Sequence, residues 1–176
     1  MKSGLRQAIA EYPALLSDEL AAESQATLDD ELRRRGLYFG ERPLCTVLRP
    51  RFLTPEQYRL LRDRCAILLR ALDRIYRAAF EKPALRSQFG LTEWEEALIK
   101  RDPGFPDASP TSRLDAFYLP DEREFHLTEY NAETPAGAAY GDALAEVFFA
   151  LPAMRPFLRR YDVRPLPTRH DVLHAL

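Results

Sequence analysis

The chain has 176 residues, of which 46% are hydrophobic and 30% are charged, with 25 Lys and Arg against 27 Asp and Glu. These proportions are typical of a folded globular protein and exclude an intrinsically disordered or collagen-like chain. The formal net charge of −2 gives no overall attraction to nucleic acid or anionic lipid, so neither is expected as a partner. The apolar stretch Ala143–Leu151 is far shorter than the ~20 residues of a transmembrane helix, and residues 1–10 lack the apolar segment of a signal peptide. The sequence therefore predicts a cytoplasmic protein.

Capping signals predict the first helices. Ser17 precedes a helical pattern that ends in three arginines followed by Gly36, the usual combination at a helix end. Thr54 followed by Pro55 is a strong start signal, and apolar residues at spacings of three and four continue from there to Phe80. We expect this long helix to be a core scaffold.

Shorter elements follow the same logic. Pro43–Leu48 is expected to be a short buried strand. Thr92 with Glu95 three residues later is a capping box, which predicts a helix through Ile99. Near the end of the chain, Tyr140–Phe149 and Met154–Tyr161 have helical patterns separated by a proline.

Strand periodicity is confined to Thr111–Asn131. The runs Arg113–Leu119 and Glu124–Asn131 flank the polar turn Pro120–Arg123, which predicts a β-hairpin. The expected fold is therefore a helix-rich mixed α/β domain with a central β-hairpin.

The hairpin register decides which polar residues meet. With an odd-numbered loop, Asp115 lies opposite Glu129 and Arg113 opposite Asn131, all on one face. An even-numbered loop would place the two acids on opposite faces. In the first case the same face continues toward the turn with two apolar pairs expected in the core, namely Phe117 with Leu127 and Leu119 with Phe125.

Two carboxylates directly opposite each other repel unless a cation or a proton lies between them. Two acids and the carbonyl oxygen of Asn131 form the all-oxygen ligand set that Mg²⁺ prefers. The alternative is a surface salt-bridge ladder in which Arg113 pairs with Asp115 or Glu129.

The segment after the hairpin is rich in small residues and leads into a helix. Ala136 and Gly137 would let a ligand approach the backbone, and the helix N-terminus offers N–H groups to an anion. The alternative is a simple strand-to-helix connection.

Arg113-Leu114-Asp115 and Glu129-Tyr130-Asn131-Ala132-Glu133-Thr134-Pro135 together resemble the Arg-x-Asp … Glu-Tyr-Asn-Ala-Asp-Thr-Pro pattern of the circularly permuted ATP-grasp ligases related to glutathionylspermidine synthase. The resemblance covers about 25 residues and implies a pre-ATP-grasp-like fold. It implies that Asp115, Glu129 and Asn131 hold Mg²⁺ on the phosphates of ATP, and that the catalytic Arg113 faces the transferred phosphoryl group. It places substrate contacts at Glu133, Thr134, Ala136 and Gly137.

The activity implied by this resemblance is ATP-dependent joining of a small-molecule or peptide carboxylate to an amine. Glu133 stands where the family has Asp, and Ala136-Gly137 replace the hydroxyl residues that meet glutathione, so glutathione is not the expected substrate. All three lysines (Lys2, Lys82 and Lys100) precede the hairpin, whereas the family places phosphate-binding lysines after it. Residues 1–176 are therefore expected to be a single domain from the N-terminal portion of a larger ligase, inactive alone.

Two alternatives remain open on the residues alone. The chain could be a non-enzymatic module that binds a peptide or a partner protein, with the hairpin charges serving as a structural ion network. His170 and His174 have the i, i+4 spacing of metal ligands, but no third ligand is evident, and an exposed terminal helix explains them equally.

Overall fold

The computed structural model describes residues 2–101, 104, 109–119, 123–132 and 136–175. They form a helix-rich mixed α/β structure with two small antiparallel sheets, which confirms the coarse fold prediction. The helices are α1 (Lys2–Ala14), α2 (Asp18–Arg34), α3 (Pro55–Glu81), α4 (Pro83–Arg86), α5 (Glu93–Ile99), α6 (Ala138–Ala150), α7 (Met154–Leu158) and α8 (Arg169–Ala175), with a 3-10 turn at Ser87–Phe89. The strands are β1 (Tyr38–Phe39), β2 (Arg42–Pro43), β3 (Arg113–Leu119) and β4 (Glu124–Asn131).

The chain divides into two compact units. Unit 1 contains Met1–Pro55 and Thr134–Leu176, and unit 2 contains Glu56–Glu133. Unit 1 includes α1, α2, the β1–β2 ribbon and α6 to α8, whereas unit 2 includes α3 from its second residue, α4, α5 and the β3–β4 hairpin. That residues 1–176 form a single domain stays a prediction.

Unit 1 has two clusters of buried side chains. They are joined by a hydrogen bond from the backbone N–H of Ala153 to the hydroxyl oxygen of buried Ser24 on α2, at 3.1 Å. This bond satisfies a buried backbone donor beside the start of α7. The first cluster is Ala8, Tyr12, Ala153, Met154 and Phe157, and the second is Leu28, Leu32, Leu37, Val147 and Leu151.

The capping signals of the sequence correspond to real helix ends. Ser17 caps α2, its hydroxyl accepting the N–H of Leu20 at 3.2 Å, and Gly36 after the helix has a left-handed φ of +64°. Helix α3 begins at Pro55 as predicted. The capping box of Thr92 and Glu95 is present at the start of α5. Helices α6 and α7 are separated at Pro152, although α7 is shorter than predicted.

The prediction of a strand over Pro43–Leu48 is wrong. The observed pairing joins Tyr38–Phe39 to Arg42–Pro43, and Gly40 in the turn has the positive φ of +60° that a two-residue hairpin turn needs. The chain then leaves the ladder, and Leu44 and Leu48 pack against the second cluster of unit 1 from an irregular segment. Helix α1 was not predicted at all.

The apolar side chains of helix α3 are less buried than those of a core helix would be. Among its described residues Ala79 alone is buried, while Leu69, Ile75 and Phe80 are 41%, 46% and 45% exposed. The expectation of a core helix is therefore wrong. The apolar stripe of α3 is wider than the part of the helix surface that neighbouring elements bury. None of the described helices combines the length and apolar character needed to cross a membrane.

A candidate metal site on the β3–β4 hairpin

The open end of the β3–β4 hairpin has the predicted register. Arg113 pairs with Asn131, Leu114 with Tyr130, and Asp115 with Glu129. Because side chains alternate along a strand and paired residues share a face, Arg113, Asp115, Glu129 and Asn131 lie on one face. The structure thus brings together the four residues that the sequence selected as the metal and phosphate site.

The register changes by one residue toward the turn, and there the prediction is wrong. Asp115 pairs with Glu129 but the next residue, Ala116, pairs with Leu127, so Thr128 is skipped as a β-bulge. The remaining pairs are Phe117 with His126, Tyr118 with Phe125, and Leu119 with Glu124, in place of the predicted pairs of Phe117 with Leu127 and Leu119 with Phe125.

The bulge sorts the hairpin into a polar face and an apolar face. Phe117 and Leu119, expected in the core, lie on the polar face and are 69% and 43% exposed. The polar face otherwise consists of Arg113, Asp115, Glu124, His126, Glu129 and Asn131, and the apolar face consists of Leu114, Ala116, Tyr118, Phe125, Leu127 and Tyr130.

Arg113 neutralises Asp115 directly. Its Nε donates to Oδ1 of Asp115 at 2.8 Å and its Nη2 donates to Oδ2 at 3.3 Å, while Nη2 lies 3.9 Å from Oε1 of Glu129. The hydrogen bonds with Asp115, then its charge and that of Glu129, raise the pKa of the Arg113 guanidinium. One guanidinium against two carboxylates leaves a residual negative charge at this end of the hairpin.

Polar contacts also orient the β4 side of the site. The amide Nδ2 of Asn131 donates to Oε1 of Glu129 at 2.9 Å. The hydroxyl of the bulged Thr128 donates to the backbone oxygen of Asp115 at 2.7 Å. Outside the strands, the Ser109 hydroxyl donates to the backbone oxygens of Thr111 and Ala132 at 2.6 and 3.2 Å, which ties the two chain segments at the open end together.

The donor set fits a hard divalent cation. Mg²⁺ typically takes one or two protein carboxylates and completes its octahedron with water and substrate phosphates. Asp115 and Glu129 supply two carboxylates that are 38% and 59% exposed, and the Asn131 amide supplies a third oxygen. Within the described ranges no group of three or more His, Cys, Asp or Glu is placed to hold a metal ion.

The predicted substrate-binding residues are only partly described. Glu133 and Thr134 lie outside the described residues. Ala136 and Gly137 belong to unit 1, directly before α6. Gly137 has a φ of +122°, a conformation that a side chain would strain, and its backbone oxygen accepts the N–H of Gly141 at 2.8 Å.

The terminal histidines do not form a visible site. His170 and His174 lie on the exposed helix α8. That helix is capped from α6, because Oδ1 and Oδ2 of Asp142 accept the N–H groups of Thr168 and Arg169 at 2.8 and 3.0 Å. These backbone hydrogen bonds lower the pKa of Asp142.

Sequence reasoning missed Thr128, although the sequence contains its signal. Phe125 and Leu127 are two apart, as one face of a strand requires, but the next apolar residue, Tyr130, is three further on. A spacing of three would place Tyr130 on the opposite face of a regular strand. One residue of β4 must therefore be left unpaired if Phe125, Leu127 and Tyr130 are to share a face with Tyr118 on the partner strand.

Searches against protein-family models, curated proteins and solved structures find no match for this chain.

Proposed function

We propose that the β3–β4 hairpin carries the Mg²⁺ and phosphate half-site of an ATP-dependent carboxylate–amine ligase. The observation that carries this proposal is the direct pairing of Asp115 with Glu129 beside Arg113 and Asn131 on one exposed face. Two acids directly opposite each other on paired strands favour a bound cation. The arrangement also agrees with the ATP-grasp motif resemblance in both residue type and spacing.

Each residue has a distinct role in this proposal. Asp115, Glu129 and the Asn131 carbonyl would hold Mg²⁺, which when bound supplies charge neutralisation to the phosphates of ATP. The planar Arg113 guanidinium would bind two phosphoryl oxygens at once, which a lysine ammonium cannot do with the same geometry.

The carboxylate and amine substrates would meet the segment after the hairpin. There Glu133, Thr134, Ala136 and Gly137 correspond to the substrate positions of the resembling family. The absence of a side chain at Gly137 leaves its backbone open to a close approach by a ligand. A ligase using ATP and small-molecule or peptide substrates agrees with the proposed cytoplasmic location.

The proposal is tested by calorimetric titration of MgCl₂, with and without ATP, into the chain and into the double variant Asp115→Asn/Glu129→Gln. We expect the double variant to lose at least about tenfold in affinity, because both charged ligands are gone. Glu124→Gln is the matched control, since it removes a carboxylate from the same face near the turn, and it should bind as the wild type does. Equal isotherms for all three proteins would reject the metal site.

A specific observation favours a second candidate, a non-enzymatic binding module. Both carboxylates already have partners within the chain, because Asp115 is bound by Arg113 and Glu129 by Asn131. In this reading the four residues form a structural network, and the exposed Phe117 would contact a peptide or partner protein. The same titration decides between the two, since a module would bind neither Mg²⁺ nor ATP.

A further inference from the structure

Around Thr128, strand β4 has one residue more than strand β3 can pair with. Leu114 pairs with Tyr130 and Ala116 pairs with Leu127, so β3 has one residue between these pairs, Asp115, whereas β4 has two. One of those two must be skipped. The apolar face is therefore compatible with two arrangements, one that skips Thr128 and one that skips Glu129.

The two arrangements do not differ in the burial of the apolar face, because Leu127 and Tyr130 keep the same partners on β3 in both. Electrostatics favours the arrangement that is not observed, since skipping Glu129 would place Thr128 opposite Asp115 and separate the two acids. Like charges directly opposite each other destabilise a sheet. Arg113 offsets this repulsion in part, but it pairs chiefly with Asp115.

The observed arrangement contains a hydrogen bond from the Thr128 side chain to the opposite strand. The Thr128 hydroxyl donates at 2.7 Å to the backbone oxygen of Asp115, the residue on the opposite strand at the bulge. A β-bulge disrupts the backbone ladder locally, so a side-chain donor there replaces a lost interaction. This bond accompanies the arrangement in which Thr128 is the residue skipped.

We propose that Thr128 is a positioning residue whose hydroxyl locks the bulge at its own position and thereby holds Glu129 opposite Asp115. The register part of this proposal stands on the hairpin geometry, and its consequence for Mg²⁺ rests on the proposed function. In this view the metal site depends on a residue that is not itself a metal ligand.

The test combines Thr128→Val, which keeps the shape of the side chain and its strand preference but removes the hydroxyl, with Thr128→Ala as a second loss variant. We expect the bulge to shift, so that cross-strand nuclear Overhauser contacts of the Asp115 backbone move from Glu129 to residue 128. Mg²⁺ affinity should fall at least about tenfold. Thr128→Ser, which restores the hydroxyl, should recover both the contact and the affinity.

Deletion of Thr128 is the matched control. It leaves one residue between Leu127 and Tyr130, so Glu129 must face Asp115 without any bulge, and the Asp115–Glu129 contact should persist. A Thr128→Val protein that keeps this contact would overturn the proposal, as would a serine variant that behaves like the valine variant. If the contacts move as expected but the wild type binds no Mg²⁺, the proposed function fails while the positioning role stands.

Discussion

Arg113 acts as the counter-ion of the acid pair, so any metal ion that binds there must compete with it. The guanidinium makes two contacts with Asp115 and approaches Glu129, and the three side chains are between 38% and 59% exposed. Exposed ion pairs are weak, so the exchange of one cation for another is not costly. In the proposed function, the guanidinium that the metal ion displaces would bind a phosphoryl group.

This competition makes a prediction with a definite sign for Arg113→Gln. Removing the Arg113 guanidinium should strengthen binding of Mg²⁺ alone, by about two- to fivefold, because the positive charge that pairs with Asp115 and approaches Glu129 is then gone. Binding of Mg-ATP should not gain in the same way, since the arginine contact with phosphate is lost. Calorimetry with MgCl₂ and with Mg-ATP measures both effects, and weaker Mg²⁺ binding in the variant would show that Arg113 supports the site instead of competing for it.

At the scale of elements, unit 2 depends on one buried arginine. Arg86 donates from Nη1 to the backbone oxygens of Ala79 and Phe80 at 3.1 and 3.0 Å, near the C-terminal end of α3. Its Nε lies 3.0 Å from both carboxylate oxygens of Glu96 on α5. One side chain thus satisfies terminal helix carbonyls and connects α3, α4 and α5.

Arg86→Met should therefore destabilise the protein by about 2 kcal/mol or more, because the buried carbonyl oxygen of Ala79, the part-buried one of Phe80 and the Glu96 carboxylate lose a charged donor together. Arg59→Met is the matched control on α3, since its pair with Glu56 is exposed, and about 0.5 kcal/mol or less is expected there. Urea unfolding followed by circular dichroism measures both free energies. Similar losses in the two variants would mean that Arg86 is not a structural anchor.

The same contact makes the stability of the wild type depend on pH in a way that the variant does not share. Hydrogen bonding to Arg86, and then to Lys100, lowers the pKa of Glu96 below its ordinary value. The stabilisation from this shift is present above the unfolded pKa of about 4.3 and is lost as the pH falls through the lower folded value. The difference in stability between wild type and Arg86→Met should accordingly shrink in acid.

Helix boundaries could be predicted from sequence because capping is local chemistry. Ser17 and Thr92 satisfy backbone donors within three residues of themselves, so their effect is visible without the fold. Strand register is not local in this sense. The site end of the hairpin was predicted correctly, but the turn end was not, because the extra residue at Thr128 emerges only when the apolar spacings of both strands are compared.

At the scale of the whole molecule, the buried apolar side chains are distributed unequally. Ten of those described lie in unit 1, whereas unit 2 contributes Ala79. Burial of apolar surface is the main favourable contribution to folding. We infer that unit 1 supplies most of the stability of the described structure, while unit 2 carries the candidate site on a hairpin with an exposed polar face.

Leu28→Ala and Leu69→Ala test this distribution with the same chemical change in the two units. Leu28 is fully buried in the second cluster of unit 1, so its truncation should leave a cavity and cost about 3 kcal/mol. Leu69 on α3 is 41% exposed, and its truncation should cost about 1 kcal/mol or less, because much of its surface is already in water. Urea unfolding monitored by circular dichroism gives both free energies. Equal costs would mean that Leu69 is as well buried in solution as Leu28, and would contradict the inferred distribution of stability.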